Sequence, residues 1–236
     1  MIIGYDNQVM TANLSMTNES PLFPVANLKD TRLSRFTRVL GTDTRIVISK
    51  EGLTATSLFM MSNLTATASV KIEANTSNAW TTPAFSETVT WKDEILTHFF
   101  DEETYDYWSI LISDSANTED VKIGGVFLGD YFDYDDVSHN MTIDDVDTTI
   151  QTWSKSGQSY TDDNYVYERY TFALDVLTLV EVEVMRAIVR AIKRKPVWIY
   201  LSTEFKNIYA VYEGNMTRTR KFNNIYSLGL TFREAK

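Results

Sequence analysis

Cysteine is absent from this chain of 236 residues, which excludes disulfides, thiolate metal sites and a cysteine nucleophile. Histidine occurs only at His98 and His139. A histidine-based metal centre or a Ser-His-Asp triad would have to draw on these, and neither stands in a motif. Nucleophile-elbow, His-Glu-x-x-His, Walker and Gly-x-Gly-x-x-Gly patterns are missing too. The nearest approach is Gly124-Gly125 with Gly129. It sits inside a strand pattern, where glycine marks a bulge or close packing rather than a phosphate loop. Positive charge is also scarce: 22 Lys+Arg against 32 Asp+Glu leave a net charge of -10, a balance that repels nucleic-acid backbones. No apolar run approaches the length of a membrane span, and the opening MIIGYDNQVMTANLSM lacks a charged segment followed by an apolar one,. The expectation is a soluble chain, made in the cytoplasm, with no membrane insertion and no nucleic-acid partner.

Glycine (9) and proline (4) are few, whereas tyrosine (13) and phenylalanine (12) are plentiful, a bias toward strands. Short β-rich runs fall at 45–50, 56–62, 67–73, 87–91, 105–113 and 121–129, with polar connections and no helical period between them,. This predicts a β-sandwich or jelly roll over residues 1–140. Composition then changes. Asp130 to Asp136 is acidic and aromatic, and Ser154 to Asn164 is a polar loop without period,. Residues 165–174 alternate as a strand, and Leu179 to Lys193 repeat Val180, Val184, Ile188 and Ile192 every fourth position, widened by Leu177, Met185 and Ala191,. Glu181 and Glu183 open this helix, Arg190, Lys193 and Arg194 close it, and Pro196 stops it,. Runs at 196–201, 207–212 and 224–232 complete a smaller α+β domain, a β-meander with one amphipathic helix, over residues 141–236,. The fold class is thus mainly β.

Carboxylates cluster at Asp101-Glu102-Glu103, at Asp130/Asp133/Asp135/Asp136 and at Asp144/Asp145/Asp147. A glycosidase needs two of them facing across a cleft. Calcium would need six to eight oxygen ligands, and the 130–136 run lacks EF-hand spacing. The reading is a solvated acidic loop, with no metal and no cofactor. Six Asn-x-Ser/Thr sequons, at Asn13, Asn18, Asn63, Asn75, Asn140 and Asn215, read as accidents of an Asn/Thr-rich composition,. Aromatic platforms for a sugar are available at Trp80, Trp91, Trp108 and Trp153. Tyr131, Tyr134 and Trp153, near the domain boundary, suit a subunit contact or a cap on the sandwich core. Arg218, Arg220 and Lys221 form a basic patch that faces an acidic neighbour or solvates a turn.

The layout of Pro21 to Arg35, Arg45-Ile-Val-Ile, Met61 to Thr65, Tyr107-Trp-Ser-Ile-Leu-Ile and Val121 to Gly129 resembles discoidin-like jelly rolls of tailed-bacteriophage and prophage proteins. Tyr167 to Asp175, the helix, Lys195 to Leu201 and Asn224 to Glu234 are similar to small β-rich domains of phage tail and baseplate proteins, including distal-tail-like subunits. The resemblance implies a non-enzymatic structural subunit of the virion tail or tail tip. Its partners would be other tail subunits and copies of itself, and it transfers no catalytic residue. The alternative is a carbohydrate-binding module used in attachment to a host surface glycan.

Overall fold

The computed structural model describes residues 1–32, 34–90, 95–134, 141–153, 159–162, 165–193, 195–202, 205, 207–214 and 216–235, with backbone alone over 150–153 and 159–162. Two compact units divide the chain. One comprises Met1–Tyr134 with Val197–Ile208, and the other Asp135–Pro196 with Tyr209–Lys236. The chain therefore returns to its first unit after leaving it, a course that division in chain order at residue 140 does not represent.

The first unit contains β1 (Ile2–Asn7), β2 (Asn13–Met16), β3 (Thr37–Arg38), β4 (Asp43–Ser62), β5 (Ser69–Asn75), β6 (Phe85–Val89), β7 (Ile95–Ser113) and β8 (Lys122–Asp133). The runs expected at 45–50 and 56–62 are one strand of 20 residues. It bends where its register with β7 shifts, between Ser49 and Leu53 and between Ala55 and Ser57, as bulges do. Gly52 sits in that bend with φ 59°, a left-handed conformation that favours glycine, and its N–H donates to Asp106 Oδ1 at 2.8 Å. Beyond the bend β4 exchanges neighbours. Its first half lies between β2 and β7, and its second half between β7 and β8. Both halves send alternate residues into one core: Ile46 and Ile48 from the first, Leu58 and Met60 from the second, meeting Val70, Ile72, Trp108, Ile110 and Leu128. This is the β-sandwich expected from the alternation of the runs.

An aromatic cluster occupies the other face of the second half. Phe59 meets Phe127 edge-on at 5.6 Å and Trp198 at 6.0 Å, while Phe99 meets Tyr131 at 5.1 Å and Tyr200 at 5.3 Å. Trp198 and Tyr200 arrive on β13 (Pro196–Tyr200), which pairs antiparallel with β1. The glycines admit these close approaches. A Cβ at Gly125 would stand 3.3 Å from the Trp198 ring, and one at Gly129 would stand 2.0 Å from the Asp6 carbonyl oxygen. The close-packing reading of these glycines therefore holds.

The second unit contains β9 (Met141–Asp147), a hairpin of β10 (Ile150–Trp153) and β11 (Ser159–Asp162), β12 (Val166–Leu177), α1 (Leu179–Ile192), β14 (Ile208–Tyr212), β15 (Thr217–Phe222) and β16 (Ile225–Glu234). β12 lies between β9 and β16, and β16 carries β14 and β15 along its other side. The segment read as a possible turn, Arg218 to Lys221, is thus an edge strand. The helix starts at a capping box: the Thr178 hydroxyl accepts from Glu181 N–H at 3.3 Å, and the Glu181 carboxylate accepts from Thr178 N–H at 2.7 Å,. Its buried face is Val182, Met185, Ile188 and Ile192, whereas Val180, Val184 and Ala191 are exposed. The expected stripe is therefore rotated. Spacings of three and four residues both place side chains on one face, and the four-residue series 180–184–188–192 drifts across the helix from solvent into the core,.

Tyr170 and Phe172 fill the core of this unit with Leu230 and Phe232. The Tyr170 hydroxyl donates to the Glu168 carboxylate, and its pKa is raised strongly, first by burial and then by that bond and the charge of Glu168. Tyr212 is raised by burial alone, and its hydroxyl finds no partner among the described residues.

Four substitutions test this packing. Gly129→Ala should destabilise by about 1–3 kcal/mol in urea unfolding because backbone must shift; Gly229→Ala, with nothing within 4 Å of its new Cβ, should be within about 0.5 kcal/mol of the parent. Tyr212→Phe, which deletes an unpaired buried hydroxyl, should be neutral or stabilising by about 1 kcal/mol. Because the folded-state pKa of Tyr170 lies above the unfolded value, its contribution is complete below about pH 10 and declines as pH rises further. The stability gap between the parent and Tyr170→Phe should accordingly narrow in alkaline unfolding curves, and a gap independent of pH would contradict this.

Candidate functional site

Alternation along β4, β5 and β7 builds one polar array on the outer face of the first sandwich layer. Ile46, Ile48, Ile72, Ile110 and Trp108 point to the core, so Arg45, Glu73 and Ser109 point outward. Cross-strand pairing aligns Glu73 with Ser109 and Arg45 with Leu111. The Arg45 Nη1 donates to Glu73 Oε2 at 2.5 Å and to Ser109 Oγ at 2.6 Å. This ion pair is largely out of water: the side chains are 19% and 9% exposed. As donor to both, the guanidinium satisfies an otherwise costly buried carboxylate and a buried hydroxyl,.

Trp80 lies over the guanidinium of the pair. The loop after β5 turns back because Asn75 Nδ2 donates to the Ala79 carbonyl at 2.7 Å and Asn75 Oδ1 accepts from Thr76 N–H at 2.9 Å. The indole Nε1 donates to Asn78 Oδ1 at 2.8 Å, and the Arg45 guanidinium carbon lies 5.0 Å from the ring centroid, a cation–π arrangement. The half-buried indole is thereby fixed in orientation from its edge and from one face. No other described aromatic ring stacks on it. The Nε and Nη2 donors of Arg45 make no hydrogen bond among the described residues. Tyr107, paired with Asn75 and Ser49, continues the array along the same face.

The other tryptophans fare differently. Trp108 is fully buried, with its Nε1 donating to the Leu53 carbonyl at 3.1 Å and Phe85, Phe100 and Tyr105 around it. It is a core residue and not a sugar platform, because its period-two position on β7 faces inward. Trp91 and the side chain of Trp153 lie outside the described residues. Tyr134 is buried, its backbone exchanging hydrogen bonds with Met1, so it caps the core rather than offering a contact; Tyr131 is half-buried against Phe99. Arg218, Arg220 and Lys221 are exposed on β15. Arg218 reaches Glu183 at 3.4 Å and lies over the Tyr226 ring, and Lys221 pairs with Asp175.

His98 sits at the rim of the sandwich core, its Nε2 at 2.7 Å from Glu87 Oε2 and its ring 6.0 Å from that of Phe100. His139 lies outside the described residues. Of the acidic clusters, Asp101 to Glu103 belong to β7, Asp130 and Asp133 to β8, and Asp144, Asp145 and Asp147 to β9, while Asp135 and Asp136 lie outside the described residues. Burial, then the charges of Glu102 and Asp6, push the Asp130 carboxyl up from its ordinary value. No group of three or more potential metal ligands gathers among the described residues.

The Arg45–Glu73–Ser109–Trp80 array is legible in the sequence only after the strands are paired. Arg45 and Glu73 each occupy a polar position in an alternating run, but their proximity is a matter of sheet order. Glu73→Ala should destabilise by about 2–3 kcal/mol, since it leaves the Arg45 charge partly buried without its counter-ion. Lys71→Ala, an exposed neighbour on the same strand, should cost less than about 0.5 kcal/mol in the same denaturant series.

No family model matches the chain, and no curated protein does. Solved structures show distant likenesses over about half of it. A fucose-binding module of Streptococcus pneumoniae is 9% identical, covering 53% of this chain and 96% of its own, with a TM-score of 0.44. The family 32 carbohydrate-binding module of Clostridium perfringens NanJ, solved with galactose, is 13% identical and covers 56% and 100%, with a TM-score of 0.42. A chitosan-binding module from a chitosanase/glucanase of Paenibacillus sp. IK-5 is 14% identical and covers 52% and 98%, with a TM-score of 0.42.

Proposed function

We propose that this chain is a carbohydrate-binding protein without catalytic activity, and that the outer face around Trp80 is its binding surface. The observation that carries the reading is the indole held by Asn78 and Arg45 with one ring face free of any described aromatic partner. A pyranose presents a patch of C–H groups that lies flat on such a ring, and its hydroxyls need charge-assisted partners around the ring edge. Arg45, lying over the other face of the ring, fixes the platform's orientation, and Glu73 and Ser109 hold Arg45 in place. A rigid aromatic anchor loses little conformational entropy on binding, so a small surface suffices for a weak, specific contact.

The tail-subunit reading is a second proposal, favoured by the oppositely charged edge strands of the second unit. It concerns assembly through the second unit, whereas the glycan reading concerns the first.

Titration against a panel of immobilised and soluble glycans, read by tryptophan fluorescence and calorimetry, tests the first reading. Saturable binding to at least one glycan is expected, weakened at least about tenfold, or 1.4 kcal/mol, by Trp80→Ala. Arg45→Gln should weaken it comparably, while Phe222→Ser in the other unit should leave it unchanged. Absence of saturable binding across the panel, or binding indifferent to Trp80, overturns the reading.

A further inference from the structure

The second unit ends in two edge strands of opposite charge. Among the described residues β9 pairs only with β12, and β15 only with β16, so each leaves one row of backbone N–H and C=O groups without a sheet partner. Exposed edges of this kind are templates for another strand, and proteins that do not use them blunt them. Here β9 carries Asp144, Asp145 and Asp147 within Met141-Thr-Ile-Asp-Asp-Val-Asp147, and β15 carries Arg218, Arg220 and Lys221 within Thr217-Arg-Thr-Arg-Lys-Phe222. All six side chains are exposed. Asp144, Asp145 and Arg220 make no ion pair among the described residues.

Register connects the two edges. Arg218 and Arg220 pair with Leu228 and Tyr226 of β16, and Leu228 pairs with the buried Leu174 of β12. Along β12 the same face continues through Phe172, Tyr170, Glu168 and Val166, whose partners on β9 are Met141, Ile143, Asp145 and Asp147,. Arg218 and Arg220 therefore stand on the same face of the sheet as Asp145 and Asp147, with the same two-residue spacing. Strand direction agrees as well. β9, β12, β16 and β15 alternate in direction, so the β15 edge of one copy, laid beside the β9 edge of another in the same orientation, forms one more antiparallel pair. In that pair a single register sets Arg220 opposite Asp145 and Arg218 opposite Asp147.

We infer that copies of this chain associate head to tail by joining the basic edge strand Thr217–Phe222 of one to the acidic edge strand Met141–Asp147 of the next. Like charges keep β15 from β15 and β9 from β9, so the arrangement blocks the two symmetric pairings and admits the heterologous one. A heterologous contact closes into a ring or extends as a chain according to the rotation between neighbours. Either form repeats the sandwich unit many times along one assembly, which multiplies the strength of any weak surface contact that unit makes. The inference rests on the second unit alone and does not depend on the glycan reading.

The test is sedimentation velocity of the full chain across protein concentration, at low and high salt, with two charge-reversed variants. One reverses the basic edge (Arg218→Glu with Arg220→Glu), the other the acidic edge (Asp145→Lys with Asp147→Lys). The parent should form species larger than a monomer, shifting toward monomer as salt rises. Each variant alone should remain monomeric, because its two edges then carry the same sign. Mixed in equal amounts the variants should associate again, since the acidic β9 of the first meets the basic β15 of the second and the reversed edges also match. Circular dichroism of each variant, together with recovery in the mixture, separates lost association from lost folding. A parent that is monomeric at all concentrations and low salt overturns the inference, as does association unchanged in either variant or a mixture that stays monomeric. Glycan titration on the same samples is read separately, so failure of one reading leaves the other standing.

Discussion

The first unit depends on the bend in β4 and β7. Strands of 20 and 19 residues are too long to remain in one flat layer under the normal twist of a sheet, and register shifts at 49–53 and 55–57 let each contribute to two layers. The same two strands therefore wall the core on both sides. Trp108, Ile48 and Leu58 meet in it without any connection having to cross it. Gly52 in the bend and Gly129 beside Asp6 are the positions where backbone, not side chain, sets the allowed geometry.

A consequence of that core is an outer face free to be polar. With every second residue committed inward, Arg45, Glu73 and Ser109 are left on the far side of adjacent strands, close enough to satisfy one another. The loop between β5 and β6 then brings Trp80 over the Arg45 guanidinium. An ion pair shielded by an indole is held more rigidly than one in open solvent, because screening is reduced and the guanidinium is gripped from two directions. Orientation of the ring follows from polar contacts that themselves follow from strand order.

The second unit is organised around β12, which sits between β9 and β16. Its inward residues Tyr170, Phe172 and Leu174 form the core with α1 supplying Val182, Met185, Ile188 and Ile192. An open sheet of this kind must end somewhere, and here its ends carry opposite charge. That separation gives the sheet a direction, from basic edge to acidic edge, that a closed sheet could not have.

Composition and alternation by themselves determined that the chain is mainly β, that one amphipathic helix with acids at its start and bases at its end runs from about Leu179, and that Gly124, Gly125 and Gly129 mark a bulge or close packing. These are local properties, set by the period of the side chains and by the φ and volume that a residue allows. The helix stripe was legible as apolar but not as to rotation, because a four-residue repeat does not specify which part of its arc is covered. The bend that fuses 45–50 with 56–62 was not legible, since a bulge depends on the partner strand. Nor was the burial of Trp108 as against the half-burial of Trp80: strand pairing turns Trp108 of β7 inward, and the loop after β5 carries Trp80 outside the core. The meeting of Arg45 with Glu73 joins residues 28 positions apart, and the placement of Arg218 and Arg220 on the same sheet face as Asp145 and Asp147 relates strands about 73 positions apart in the chain,. Relations at such separation are decided by tertiary structure, because no local interaction carries information across that length of chain.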